Sequence, residues 1–119
     1  MKSVEEVAKE LAGLQHYRYS VERYLAGLQR LTVVARPMKD SHNEGSRFIT
    51  FRTVKYIQMP TYWEGAPFKL GTFSECRELL ERVGIPVVGS LPCLFYAELS
   101  RSCVYVVCWD VEVSNVMPP

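Results

Sequence analysis

Soft metal ligands are scarce in this chain: two histidines, at 16 and 42, and four cysteines, at 76, 93, 103 and 108. No two cysteines form a C-x-x-C pair, so neither a zinc ribbon nor a thioredoxin-type motif is spelled out, and no metal site is expected. An excess of one charge is also lacking. Fourteen Lys and Arg face thirteen Asp and Glu, for a formal net charge of +1. Nucleic-acid binding draws on a basic excess that releases counterions, so no nucleic-acid partner is expected. The longest unbroken apolar run, Cys103 to Trp109, is seven residues. A bilayer span needs about 20, so no membrane partner is expected either. The first six residues, Met1-Lys2-Ser3-Val4-Glu5-Glu6, carry charge and no apolar h-region, and a secretory leader is not expected. Reduced thiols in a cytoplasmic setting follow from that reading.

Catalytic signatures are missing as well. The chain has no Gly-x-Ser-x-Gly, no Walker loop and no dinucleotide fingerprint. The stretch Gly65 to Gly71 is no phosphate cradle, because Pro67 and Phe68 interrupt the run of free amides that phosphate needs. No cofactor and no catalytic residue are expected.

What is present is a globular composition. Hydrophobic residues make up 48% of 119 residues, and a chain of this length fits one domain with a proper core, spanning 1–119. Ser3 with Glu6 forms a capping box. Val4, Val7, Leu11, Leu14, Val21, Leu25 and Leu28 then recur at spacings of three and four, with Arg18 in the gap. This predicts a helix over 3–30. The pentapeptide Leu11-Ala12-Gly13-Leu14-Gln15 returns as Leu25-Ala26-Gly27-Leu28-Gln29, two heptads on, which reads as an echo within one amphipathic helix. Gly13 costs about 1 kcal/mol in a helix interior and could also mark a break. A helix of that length exceeds what one small sheet covers, so a homodimer is expected.

Residues 31–59 read as a hairpin. Its first strand ends at Pro37, its loop runs from Met38 to Ser46, and its second strand covers Arg47 to Met59. The alternation in the second strand changes phase near Arg52-Thr53, as a bulge would cause. A loop over 60–71 follows, held by Pro60, Gly65, Pro67 and Gly71. Thr72 with Glu75 is a second capping box and opens a helix over 73–83, with Gly84 as its C′ residue. Ile85 to Pro92 is an apolar linker or an edge strand. A second hairpin covers 93–113 around Ser100-Arg101-Ser102, with Trp109 on the core face of its last strand. A two-residue turn there would set Cys93 opposite Cys108. Residues 114–119 are a tail. The fold expected is α+β, in the order α-β-β-α-β-β: an antiparallel sheet of four to five strands with two helices packed on one face.

The aromatic loop is the candidate site. Tyr62, Trp63 and Phe68 are costly to expose, so they either fold down as a lid or wall a pocket. Glu64 and Arg52 are the polar groups expected beside them. The first hairpin carries Arg36, Arg47, Arg52 and Lys55, and the second Glu98, Asp110 and Glu112, so a basic stripe is expected beside an acidic one. Three functions are compatible with these residues. The first is a non-enzymatic binding module holding a small apolar or aromatic ligand between sheet and helices. The alternative is a homo-oligomeric interaction module without a small ligand. The third, a small lyase or isomerase using Glu64, Glu98 or Asp110 as base, lacks a legible placed base. A void under Trp63 would favour the first, and a filled core the second.

Overall fold

The computed structural model describes residues 2–38 and 45–119. Most of the loop expected over 38–46 lies outside them. The architecture is α+β, with two helices and nine strands in antiparallel sheets among the described residues.

The first helix, α1 (Val4–Ala12), begins where expected. The Ser3 side chain accepts from the Glu6 amide, and the Glu6 carboxylate reaches back to the Ser3 amide. It does not continue to residue 30. Gly13 ends it, with its N–H turned back onto Glu10 and Leu11, and β1 (Tyr17–Leu25) follows. The reason is a competing period. Tyr17, Tyr19 and Val21 alternate with Arg18 and Ser20, and aromatic and β-branched residues favour the pleated conformation once a glycine has broken the helix. Each copy of the repeated pentapeptide therefore ends an element. The first closes α1. The second ends β1 in a 3₁₀ turn over Ala26–Leu28, with Gln29 at φ 50°, and reverses the chain into β2 (Arg30–Pro37).

A second correction concerns the two long strands. Residues 47–59 divide into β3 (Arg47–Arg52) and β4 (Tyr56–Gln58), with Thr53 in the left-handed region at φ 52°. The aromatic loop contains two short strands, β5 (Tyr62–Glu64) and β6 (Lys69–Leu70). After α2 (Phe73–Arg82), β7 (Cys93–Glu98) and β8 (Cys103–Cys108) form the expected hairpin, and β9 (Asp110–Ser114) departs from it. No strand forms between α2 and β7.

The strands make two sheets where a single sheet was expected, ordered β5-β1-β2-β3-β9 and β4-β8-β7-β6. Both long segments change sheet at the same place. Thr53 and Trp109 are the crossover residues, and the Trp109 amide donates to the Arg52 carbonyl at 3.3 Å. The phase slip at Arg52-Thr53 is thus a passage between sheets. The crossover also displaces Trp109 from the expected core position. It is 41% exposed, because alternation fails where a strand changes sheet.

The main core lies between the two sheets and takes Val7 and Leu11 from α1. The second helix does not share that layer. Its Cys76, Leu79 and Leu80 cover the opposite face of the four-stranded sheet, against Leu94 and Val107. Its boundaries follow its sequence closely. Thr72 and Glu75 form the capping box. At the other end Gly84, at φ 79°, donates to the Glu81 carbonyl, and Ile85 donates to that of Leu80, the pattern of a Schellman motif.

Candidate functional site

Strand β5 turns its middle residue inward and the two flanking residues outward. Trp63 is buried in the main core. Its ring stacks on Tyr19 at 5.1 Å and 10°, and meets Phe68 edge-on at 5.6 Å and 86°. Its indole N–H donates to the Ala66 carbonyl at 2.9 Å. Phe68 is wholly buried and continues edge-on to Phe51, which reaches Phe95. Such aromatic pairs add about 0.5–1.5 kcal/mol each beyond their burial. Tyr19 completes the cluster, donating its hydroxyl to the Leu14 carbonyl at 2.6 Å. Burial raises its pKa, with Tyr17 adding to the shift. The chain between α1 and β1 is thereby tied to the aromatic cluster.

Tyr62 and Glu64 stand on the outer side of the same strand, both exposed, and the Tyr62 hydroxyl donates to the Glu64 carboxylate. That bond raises the Tyr62 pKa, and Arg18 nearby works against the shift. Arg52 is elsewhere, on β3. Its Nη1 donates to Asp110 Oδ2 at 3.1 Å and its Nη2 to Glu112 Oε2 at 2.5 Å. The bond to Glu112 is the largest cause of a raised Arg52 pKa. The basic and acidic stripes therefore do meet, at Arg52 between β3 and β9, in register with Asp110. Being a third exposed, this pairing contributes little to stability.

The five sequence-expected residues are thus not brought together. Trp63 and Phe68 belong to the core, Tyr62 and Glu64 form an outer pair, and Arg52 joins a third cluster. A cleft of about 430 Å³ lies beside Arg52 and is bordered by Val7, Asp110 and Glu112. The carboxylates weighed as bases are scattered and exposed: Glu64 bonds Tyr62, Asp110 bonds Arg52, and Glu98 lies 4.0 Å from Lys69.

Two apolar clefts flank Pro92. One, of about 320 Å³, opens between the N-terminal ends of the two helices and is walled by Val4, Leu70, Phe73, Cys93 and Leu94. The other, of about 190 Å³, is walled by Leu80, Ile85, Val87, Val88 and Trp109, with Lys55 at its border. Three large apolar side chains are left in solvent along these clefts: Phe73 at 77% exposure, Val88 at 88% and Trp109. Sequence reading missed this surface because Phe73, Val88 and Trp109 lie up to 36 residues apart.

All four thiols are free. The turn at Ser100-Arg101 does set Cys93 opposite Cys108. Burial raises the pKa of Cys76, Cys93 and Cys108, which holds them as protonated thiols and poor nucleophiles. The described residues contain no cluster of His, Cys, Asp and Glu able to hold a metal ion, and no helix long and apolar enough to cross a membrane. Comparison with known proteins found no family model, no curated protein and no solved structure that matches this chain.

Proposed function

We propose that this chain is a non-enzymatic interaction module that docks a second copy of itself through the apolar band running from Phe73 past Pro92 to Val88 and Trp109. The observation that carries the reading is that two apolar clefts, edged by the exposed Phe73, Val88 and Trp109, lie on either side of the buried Pro92. Exposed apolar surface of this kind marks association sites. A twofold interface must be self-complementary, and the charges at the ends of the band suit one. Lys55 borders the cleft at the Trp109 end and Glu5 the cleft at the Phe73 end. An antiparallel copy brings each lysine to the other copy's glutamate. The net charge of +1 adds little repulsion, and the tight aromatic packing around Trp63 favours association over an enclosed ligand chamber.

Sedimentation equilibrium between 1 and about 200 µM tests this. The expected result is a species of twice 13.7 kDa that dissociates on dilution and is lost in Phe73→Ser and in Trp109→Ser. Lys55→Glu should weaken it, and adding Glu5→Lys should restore it. A single 13.7 kDa species throughout would contradict the reading.

A second reading retains the small apolar or aromatic ligand between sheet and helices. The cleft between the two helices favours it, with apolar walls from α1, β6, α2 and β7. A ligand there raises the thermal midpoint, and Leu94→Ser should abolish that rise. Free thiols are in keeping with a cytoplasmic setting for either reading.

A further inference from the structure

The five-stranded sheet has a second face, turned away from the main core. Arg23, Thr32 and Thr50 stand in register across β1, β2 and β3 on that face. Thr32 and Thr50 are 1% and 2% exposed. The Arg23 Nε and the two threonine hydroxyls are buried without any hydrogen-bond partner, and no other side-chain atom among the described residues shares that condition. Three orphaned polar atoms thus form one continuous row. Valine would fill the threonine positions without leaving a hydroxyl unpaired, so packing alone does not account for them.

The chain's own Pro118 and Pro119 are bonded to arginines of this face. Arg23 donates from Nη2 to the Pro118 carbonyl at 2.8 Å, and Arg30 from Nη1 to the main-chain oxygen of Pro119 at 3.4 Å. The segment leaves β9 through a bend in which the Val116 amide donates to the Ser114 hydroxyl at 3.1 Å. The chain bends at Asn115 and Val116, and the side chains of Arg23 on β1 and Arg30 on β2 reach its last two residues. Its hold is slight, since Val116 remains 70% exposed.

The two surfaces are chemically matched. A guanidinium has donors only and a threonine hydroxyl can donate. Proline offers a carbonyl and no N–H, so a proline-rich segment strands no donor over the arginines, and its backbone is ordered beforehand. We propose that this face binds a proline-rich extended segment of another protein, and that residues 115–119 hold the site in cis. The internal segment leaves the Arg23 Nε and both hydroxyls unmatched. A longer ligand with carbonyls above all three satisfies them and displaces it. This site is separate from the apolar band.

Fluorescein-labelled octaproline, titrated with the full chain and followed by anisotropy, tests the proposal. Saturable binding is expected. The double variant Thr32→Val, Thr50→Val should bind about tenfold more weakly, the loss of hydrogen bonds to two hydroxyls. Its thermal midpoint should equal or exceed that of the parent, which separates lost binding from lost folding. Ser114→Ala removes the bend that positions residues 115–119 and should tighten binding about threefold by weakening the competitor in cis. The proposal is overturned if neither the full chain nor Ser114→Ala binds octaproline up to millimolar protein. It is equally overturned if the threonine double variant binds as the parent does.

Discussion

The outer faces of the two sheets are covered in opposite ways. The four-stranded sheet is closed by α2, whose Cys76, Leu79 and Leu80 meet Leu94 and Val107 in a dry apolar layer. The five-stranded sheet has no helix over its outer face among the described residues, and there buried Val34 stands beside Thr32, paired with half-buried Phe48. It carries arginines, a row of unpartnered polar atoms and a short segment held by two arginines. One cover is built from packing and the other from hydrogen bonds that remain incomplete. The difference separates what the molecule needs for folding from what it can spend on binding. It also predicts a graded response to mutation, steep in the core and under α2, shallow at the crossover, and inverted on the polar row.

The largest effect belongs to the aromatic cluster shared by both sheets. Trp63→Ala removes the stack on Tyr19 and the edge contact with Phe68, and should cost about 3–5 kcal/mol in urea unfolding. A loss well below that range would show that the cluster is not what joins the sheets. Next comes the α2 layer. Leu80→Ala should cost about 2–5 kcal/mol, the mark of a packed cover. The polar cover should behave otherwise: Thr32→Val should stabilise the fold by about 1 kcal/mol, because it removes a buried hydroxyl that has no partner. If Thr32→Val destabilises instead, the hydroxyl is satisfied in the folded protein and the contrast between the covers fails. The smallest effect is at the crossover. Trp109→Ala should cost about 1 kcal/mol or less, below the core truncations, since 41% of the residue is exposed.

The same contrast explains what could be read from the sequence. Both ends of α2 are legible, because Thr72, Glu75 and Gly84 act on neighbours three or fewer residues away. The start of α1 is legible for the same reason. Its end is not, because Val21, Leu25 and Leu28 extend a helical spacing that Tyr17 and Tyr19 contradict with a strand spacing, and tertiary burial decides between them. The phase slip at Arg52-Thr53 is visible locally. That it marks a change of sheet depends on Trp109, whose amide bonds the Arg52 carbonyl across more than fifty residues. Of the candidate site, the approach of Arg52 to Asp110 and Glu112 follows from charge placement on the hairpins. The inward turn of Trp63 does not follow from its position on a loop shaped by Pro60, Gly65 and Pro67, because only the pairing of β5 with β1 fixes which side faces in. The apolar band was hidden because Phe73, Val88 and Trp109 come from a helix, a linker and a strand crossover.

The central claim is that the buried tryptophan is structural and the exposed one belongs to a surface for association. Hydrogen exchange of the two indole N–H groups, followed by NMR at about 20 µM and at about 1 mM protein, tests both halves at once. The Trp63 N–H, bonded to the Ala66 carbonyl, should exchange slowly and at the same rate at both concentrations. The Trp109 N–H should exchange fast in the dilute sample and become protected in the concentrated one. A Trp109 rate independent of concentration, or a Trp63 N–H that exchanges as freely as Trp109, would contradict the account.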